Sequence, residues 1–240
     1  MDMRLPSILV GTSPFIGAGQ FGSRASLYYE KFYGKPWNVK EVLEEAYLQG
    51  VEAVQALPFK HIYEAISLLM RQGLKLKVWG SLSPSNPEKG FDLFTKLGAE
   101  GIAIHGETSD SLNVEAIRDL IDRIKEAGCY AGMAVHSPGI VLPWLLEEDL
   151  EVDFLIVPFN KLGFFMDINP GSLLNLLRKV GKPAMAMKTL AAGTLSPREA
   201  LEFVLSHPEF SSVAIGVASR EEAAETFKVA LELLGTKDLR

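Results

Sequence analysis

Several side chains able to move a proton, carry a positive charge or attack a carbonyl stand just after short apolar runs. Lys60 and His61 close "GVEAVQALPFKH", His105 closes "GIAIH", His136 follows "YAGMAV" and Lys188 follows "AMAM". An imidazole exchanges its proton near neutral pH, and Glu107 lies close enough in sequence to tune His105. A lysine partly desolvated among methionines either loses its proton and forms a Schiff base or stays charged and holds an anion. Each has a plainer alternative. A histidine at such a place also serves as a structural hydrogen-bonding group, and a loop carboxylate is often simply solvated. His61, His105 and His136 are spread over separate segments with no H-x-H or H-x-x-x-H pair, so no metal site is expected.

The elements that must position these groups alternate. Short apolar runs are followed by longer amphipathic stretches, the pattern of βα units around a parallel sheet. Strands are expected at residues 7–11, 53–57, 75–79, 101–105, 130–134, 154–157, 184–187 and 212–215. Runs such as "DFLIVPF" and "SSVAIG" are continuously apolar, as strands buried on both faces should be. The intervening helices carry end signals. Asn38, Asn113, Ser196 and Ser219 suit N-caps, and Gly50 and Gly128 suit helix ends. Pro143 interrupts one amphipathic stretch. Eight such pairs predict a (β/α)₈ barrel, expected to be a single domain over residues 1–240. The first turn, "GTSPFIGAGQFG", does not fit G-x-G-x-x-G opening a helix, which argues against an open dinucleotide-binding sheet.

In such a barrel, chemistry gathers at the C-terminal ends of the strands. That places Thr12, Gln55, Lys60, His61, Ser81, His105, His136, Asn160, Lys188, Thr189 and Gly216 at one rim, and His207 at the other. The loops "KTLAAGTLSP" and "GVASREEAAE" are rich in small residues. They follow the last two strands, where these barrels commonly hold phosphate, and a helix opening at Ser219 offers free N–H groups. Gly193 and Gly216 also suit plain tight turns. Residues 14–37 read as a long loop dense in aromatics, from Phe15 to Trp37. It suits a lid over the pocket, a cover for the barrel end, or a contact with a second copy of the chain.

Composition narrows the partners. The 240 residues are 48% hydrophobic with a net charge of −6, which disfavours binding to a nucleic-acid backbone. The single cysteine excludes an internal disulfide framework and suits a reducing, cytoplasmic compartment. No run of about 18 apolar residues needed to span a bilayer is present, and "MDMRLPSILVGTSP" is too short in apolar residues for a signal peptide.

The segments "LVGTSPFIGAG", "IAIHG", "VPFN", "AMKTLAAGTLSPREALEFVLS" and "VAIGVASREEAAETF", in this order, resemble the aldo-keto reductases. That resemblance implies a (β/α)₈ barrel that moves hydride between NADP(H) and a carbonyl without metal, using a tyrosine acid backed by lysine, aspartate and histidine. Only the histidine matches, as His105. The second strand carries Gln55 and Ala56, with Lys60 at the tyrosine place, and Gly80 and Ser81 stand at the lysine place. Ala134 and Ile156 replace a serine and a glutamine that hold the nicotinamide. Glu225 matches an adenine contact; Thr226 replaces an asparagine, and Glu222 stands where an arginine often meets the 2′-phosphate.

The expectation is therefore a divergent oxidoreductase-type barrel that binds a phosphate-bearing small molecule, with NAD(P) as candidate cofactor. His105, Lys60 and Gln55 would be catalytic. Lys188, Thr189, Gly216, Ser219, Glu225 and Asn160 would hold the ligand. Ordinary NADPH-dependent aldehyde reduction is not expected. A non-catalytic binding barrel and a Schiff-base lyase are the alternatives.

Overall fold

Eight parallel strands close on themselves: β1 (Ile8–Gly11), β2 (Ala53–Ala56), β3 (Lys77–Ser81), β4 (Gly101–Ile104), β5 (Tyr130–Ala134), β6 (Phe154–Pro158), β7 (Ala184–Met187) and β8 (Phe210–Gly216). Each pairs with the next, and β8 returns to β1 in the register Ile8 with Val213 through Gly11 with Gly216. This computed structural model describes residues 3–237, and it bears out the (β/α)₈ barrel expected from the sequence. The helices are α1 (Arg24–Phe32), α2 (Pro36–Leu48), α3 (Lys60–Arg71), α4 (Pro87–Leu97), α5 (Gly106–Asp110), α6 (Val114–Glu126), α7 (Pro138–Glu147), α8 (Pro170–Val180), α9 (Pro197–Leu205) and α10 (Arg220–Lys237). Among the described residues, no helix is long and apolar enough to cross a membrane.

Side chains alternate in and out along each strand. Leu9, Ala53, Trp79, Ala103, Ala134, Phe154, Ile156, Met185 and Ala214 pack together inside the barrel, whereas Ile8, Val10, Val54, Val78, Ile102 and Met133 join the outer core beneath the helices. The inner filling is uneven. Trp79 and Phe154 meet edge to face at 5.0 Å, and Tyr130 stacks on Trp79. Two strand glycines make room for these rings. A Cβ on Gly101 would lie 2.5 Å from Trp79, and one on Gly132 would lie 2.3 Å from Phe154. Past these rings, at the C-terminal end, the inward positions are small or polar, and the barrel opens.

Four local readings are corrected. Residues 14–37 are not one loop: they hold two 3₁₀ turns and α1, and Phe15 and Phe32 are fully buried, 4.8 Å apart. The next helix starts at Pro36, a residue suited to the first helical position, so Asn38 is not its cap; its Nδ2 instead donates to the Lys31 carbonyl. β3 begins at Lys77, two residues later than expected. Pro143 lies within α7 without ending it. The caps at Asn113, Ser196 and Ser219 are formed as read, each side-chain oxygen accepting from the N–H three residues on.

The ring-on-glycine packing predicts that Gly132→Ala destabilises the fold by about 1–3 kcal/mol, the usual cost of overpacking a core. Urea unfolding reads this directly, and an unchanged midpoint would contradict the packing described.

Candidate active site

The inward position after each inner-core residue becomes, two residues on, a residue of the mouth: Gln55 follows Ala53, Ser81 follows Trp79, His105 follows Ala103, His136 follows Ala134, and Met187 follows Met185. All five line one cavity of 600 Å³, together with Leu57, Phe165, Asp167 and Lys188. A groove of 280 Å³ adjoins it, lined by Gly11, Arg24, Tyr28, Thr189, Gly193, Gly216, Glu222 and Glu225 among others. Ser13, Gln20, Gln55, Met187 and Lys188 line both, so the two spaces lie side by side.

A buried polar group facing a barrel must be paired or it costs stability. Gln55 donates from Nε2 to Ser81 Oγ at 2.9 Å, while its backbone carbonyl accepts from Thr12 Oγ1 at 3.1 Å. Thr12 Oγ1 in turn accepts from the Leu57 N–H, tying the end of β1 to that of β2. His105 caps α5: its Nδ1 accepts from the Glu107 N–H at 3.2 Å. With Nδ1 an acceptor, the neutral ring carries its proton on Nε2. His136 stands edge-on to His105, ring centroids 5.4 Å apart, and its backbone N–H donates to Asp110 Oδ1. Burial pushes both imidazoles below the ordinary histidine range. The carboxylates of Glu107 and Asp110 oppose that shift in both, while Lys188 adds to it at His136. Both rings are thus held neutral.

Lys188 is half-buried and follows the last residue of β7. Its backbone adopts φ +59°, a left-handed conformation that costs a non-glycine residue about 1–3 kcal/mol. Asn160 offsets this by donating from Nδ2 to the Lys188 carbonyl. The amine lies 5.2 Å over the Phe165 ring, a residue of the mouth and not of the groove. Burial pushes its pKa down, with Asp110 pulling the other way.

In the groove, Thr189 is only 2% exposed, and its Oγ1 is buried with no hydrogen-bond partner. Gly216 ends β8 against Pro14, where a Cβ would meet the ring at 3.0 Å. α1 roofs the groove. Arg24 reaches the Ala192 carbonyl, Lys31 Nζ donates to the Ala218 carbonyl at 2.7 Å, and Phe21 and Tyr28 pack edge to face as its wall. The lid reading of the aromatic segment therefore applies to those two rings, while Trp37 is 61% exposed on the outside.

Several expected site residues go elsewhere. Lys60 opens α3 with its side chain 82% exposed, 3.6 Å from Glu64, and lines neither space. His61 is buried beneath Tyr33 and Phe59, with Nε2 2.9 Å from the Phe15 carbonyl, so the three histidines do not converge. Of "GVEAVQALPFKH", Gln55 and Leu57 reach the mouth, and only Gln55 is polar. Asn160 is fully buried and spends its amide on Phe164 and Lys188, which makes it a brace for the loop rather than a ligand contact. Ser219 Oγ accepts from the Glu222 N–H while Glu222 accepts from the Ala218 N–H, so the start of α10 is sealed by its own side chains. Glu225 does line the groove. Arg24 was missed because its segment read as loop, and Tyr28 was weighed only as one of the aromatics of that loop. Their signal was the apolar i, i+4 pair Tyr28 and Phe32 on one helix face. His136, weighed only as a metal ligand, belongs beside His105.

No family model and no curated protein matches this chain. Solved structures do. A protein from Pseudomonas aeruginosa, described provisionally as an aldo-keto reductase, is 15% identical over 96% of this chain and 92% of its own, with a TM-score of 0.69. An aldo-keto reductase from Klebsiella pneumoniae, solved in complex with NADPH, is 17% identical over 98% and 91%, with a TM-score of 0.59. A monomeric form of phosphoribosylanthranilate isomerase from Thermotoga maritima is 14% identical over 95% and 100%, with a TM-score of 0.57. The likeness to aldo-keto reductases read from the sequence thus extends to the whole fold, and at these identities it is a likeness of fold.

Proposed function

We propose that this chain is a divergent oxidoreductase-type barrel that binds a phosphate-bearing small molecule in the groove, a nicotinamide nucleotide first among them. A carbonyl group would be handled at the mouth. The observation that carries the reading is a groove lined by Arg24 and Thr189, with the unpartnered Thr189 Oγ1 buried in its wall, beside a mouth that holds a pair of histidines. A buried hydroxyl without a partner is costly, and a phosphate oxygen would satisfy it. Arg24, which has no carboxylate partner within ion-pair distance among the described residues, lines the same groove and supplies positive charge there. That the Klebsiella relative was solved with NADPH agrees with this choice of ligand.

A bound nicotinamide supplies hydride chemistry; the chain's own part is to hold the phosphate, orient the carbonyl and keep water out. His105 is placed to donate its Nε2 proton in a hydrogen bond to a carbonyl oxygen, because Glu107 fixes the tautomer and burial keeps the ring uncharged. A neutral imidazole is a weaker acid than its cation. Among the described residues no phenol lines the mouth, Ser81 is engaged with Gln55, and Lys60 points to solvent. The mouth thus lacks a phenolic proton donor for ordinary aldehyde reduction.

Calorimetric titration with NADH and NADPH tests the reading. Thr189→Val should weaken binding about 5–10-fold, the worth of one hydrogen bond. No binding of either nucleotide, or an unchanged affinity in the variant, would overturn it. NADPH with a generic aldehyde should show no robust turnover, and brisk reduction would mean that the account of Lys60 and Ser81 is wrong. The depressed histidines also set a pH dependence. Their folded-state pKa values lie below the unfolded value of about 6.5, so the unfolded chain takes up protons first on acidification. Their contribution to stability is complete above pH of about 6.5 and declines as pH falls toward the folded values. NMR titration should find both midpoints below 6.5; midpoints above it would contradict the burial.

A further inference from the structure

Lys188 is a nucleophilic group left unused by nucleotide binding in the groove. Its Nζ lies at the mouth, against one face of Phe165, and no carboxylate comes within ion-pair distance of it among the described residues. Asn160 anchors its carbonyl, and the left-handed backbone turns the residue out of the strand's in-and-out alternation. Around it, His105, His136, Gln55, Met187 and Asp167 line the same space. We propose that Lys188 captures a small aldehyde or 2-oxo acid at the mouth as a covalent imine. This rests on the reading that the mouth receives a carbonyl, but not on what occupies the groove.

The step needs no oxidant or reductant. The amine lone pair attacks the carbonyl carbon, and the C=O electrons move to oxygen, toward which His105 Nε2–H is placed to donate. The carbinolamine then loses its hydroxyl as water while the nitrogen lone pair closes the C=N bond. Both protons that leave nitrogen end on that water, carried across by the imidazoles of His105 and His136. Amine plus carbonyl gives imine plus water. Three features favour it. A desolvated lysine holds more of its neutral, nucleophilic form at neutral pH; burial depresses this one, although the nearby Asp110 carboxylate resists. Neutral imidazoles can both take and return a proton. The apolar walls, Leu57, Ala134, Ile156 and Met166, disfavour water at the carbon.

Wild-type protein incubated at pH 7 with sodium cyanoborohydride and either propionaldehyde or pyruvate, then digested and read by mass spectrometry, tests this. Lys60, exposed and on the same chain, is the internal standard. The peptide carrying Lys188 should gain the reduced adduct several-fold faster than the one carrying Lys60, because burial favours the neutral amine and two imidazoles line the same space to carry the protons. Lys188→Arg should abolish that adduct and leave the Lys60 rate alone. Equal or slower labelling of Lys188 would overturn the proposal. The outcome is independent of the groove: labelling at Lys188 without nucleotide binding would sink the groove reading alone, and nucleotide binding without labelling would sink this one alone.

Discussion

The two-residue alternation of a closed parallel sheet is the constraint from which the rest follows. Once β8 pairs with β1, every second side chain of all eight strands points into one shared interior. The lower inward positions take bulk, with Trp79 and Phe154 seated over Gly101 and Gly132. The upper ones, Gly11, Gln55, Ser81, His105, His136, Met187 and Gly216, are then delivered to one end of the barrel whatever their distance in sequence. A well-filled floor and an open, polar mouth are two outcomes of one geometric rule. Truncating rings such as these typically costs about 3–5 kcal/mol, so the floor carries much of the fold's stability and the mouth is free to carry chemistry.

Within that frame, polar groups at the mouth divide into those already satisfied and those left open. Gln55, Ser81, Thr12 and Asn160 satisfy one another or the backbone, and so stiffen the rim. Ser219 and Glu222 close the start of α10 in the same way. Thr189 Oγ1 and the Lys188 amine are not satisfied in this manner, and His105 Nε2 is a donor set free by the use made of Nδ1. Chemistry is read from these three groups because the fold bears a cost for each: an unpaired hydroxyl at Thr189, a desolvated amine on a strained backbone at Lys188, and a desolvated imidazole at His105.

Much of this was legible in the sequence. The apolar runs and cap residues marked the strands and most helices, and strand-end position alone pointed to Gln55, His105 and Thr189. What escaped was direction beyond the strand end. Lys60 lies only five residues past Gln55, but the turn through Pro58 starts α3 and faces the lysine outward. His61, next to it, is buried against Phe15 and Tyr33 for the same reason. Lys188 has the wrong parity for an inward residue, and only its positive φ, invisible in a residue name, brings it to the mouth. The sealing of α10 was in fact written in Ser219 and Glu222, three apart: the hydroxyl accepts from the Glu222 N–H and the carboxylate from the Ala218 N–H, taking the place an incoming anion would need.

The central claim is that mouth and groove are one site built around the junction at Gln55, Met187 and Lys188. A crystal structure of the chain soaked with NADH tests it most directly. The account requires continuous ligand density running from Thr189 and Gly216, beneath α1, to the imidazole of His105. Density confined to the opposite end of the barrel, or a ligand that stops in the groove with α1 closed between it and the histidines, would contradict it.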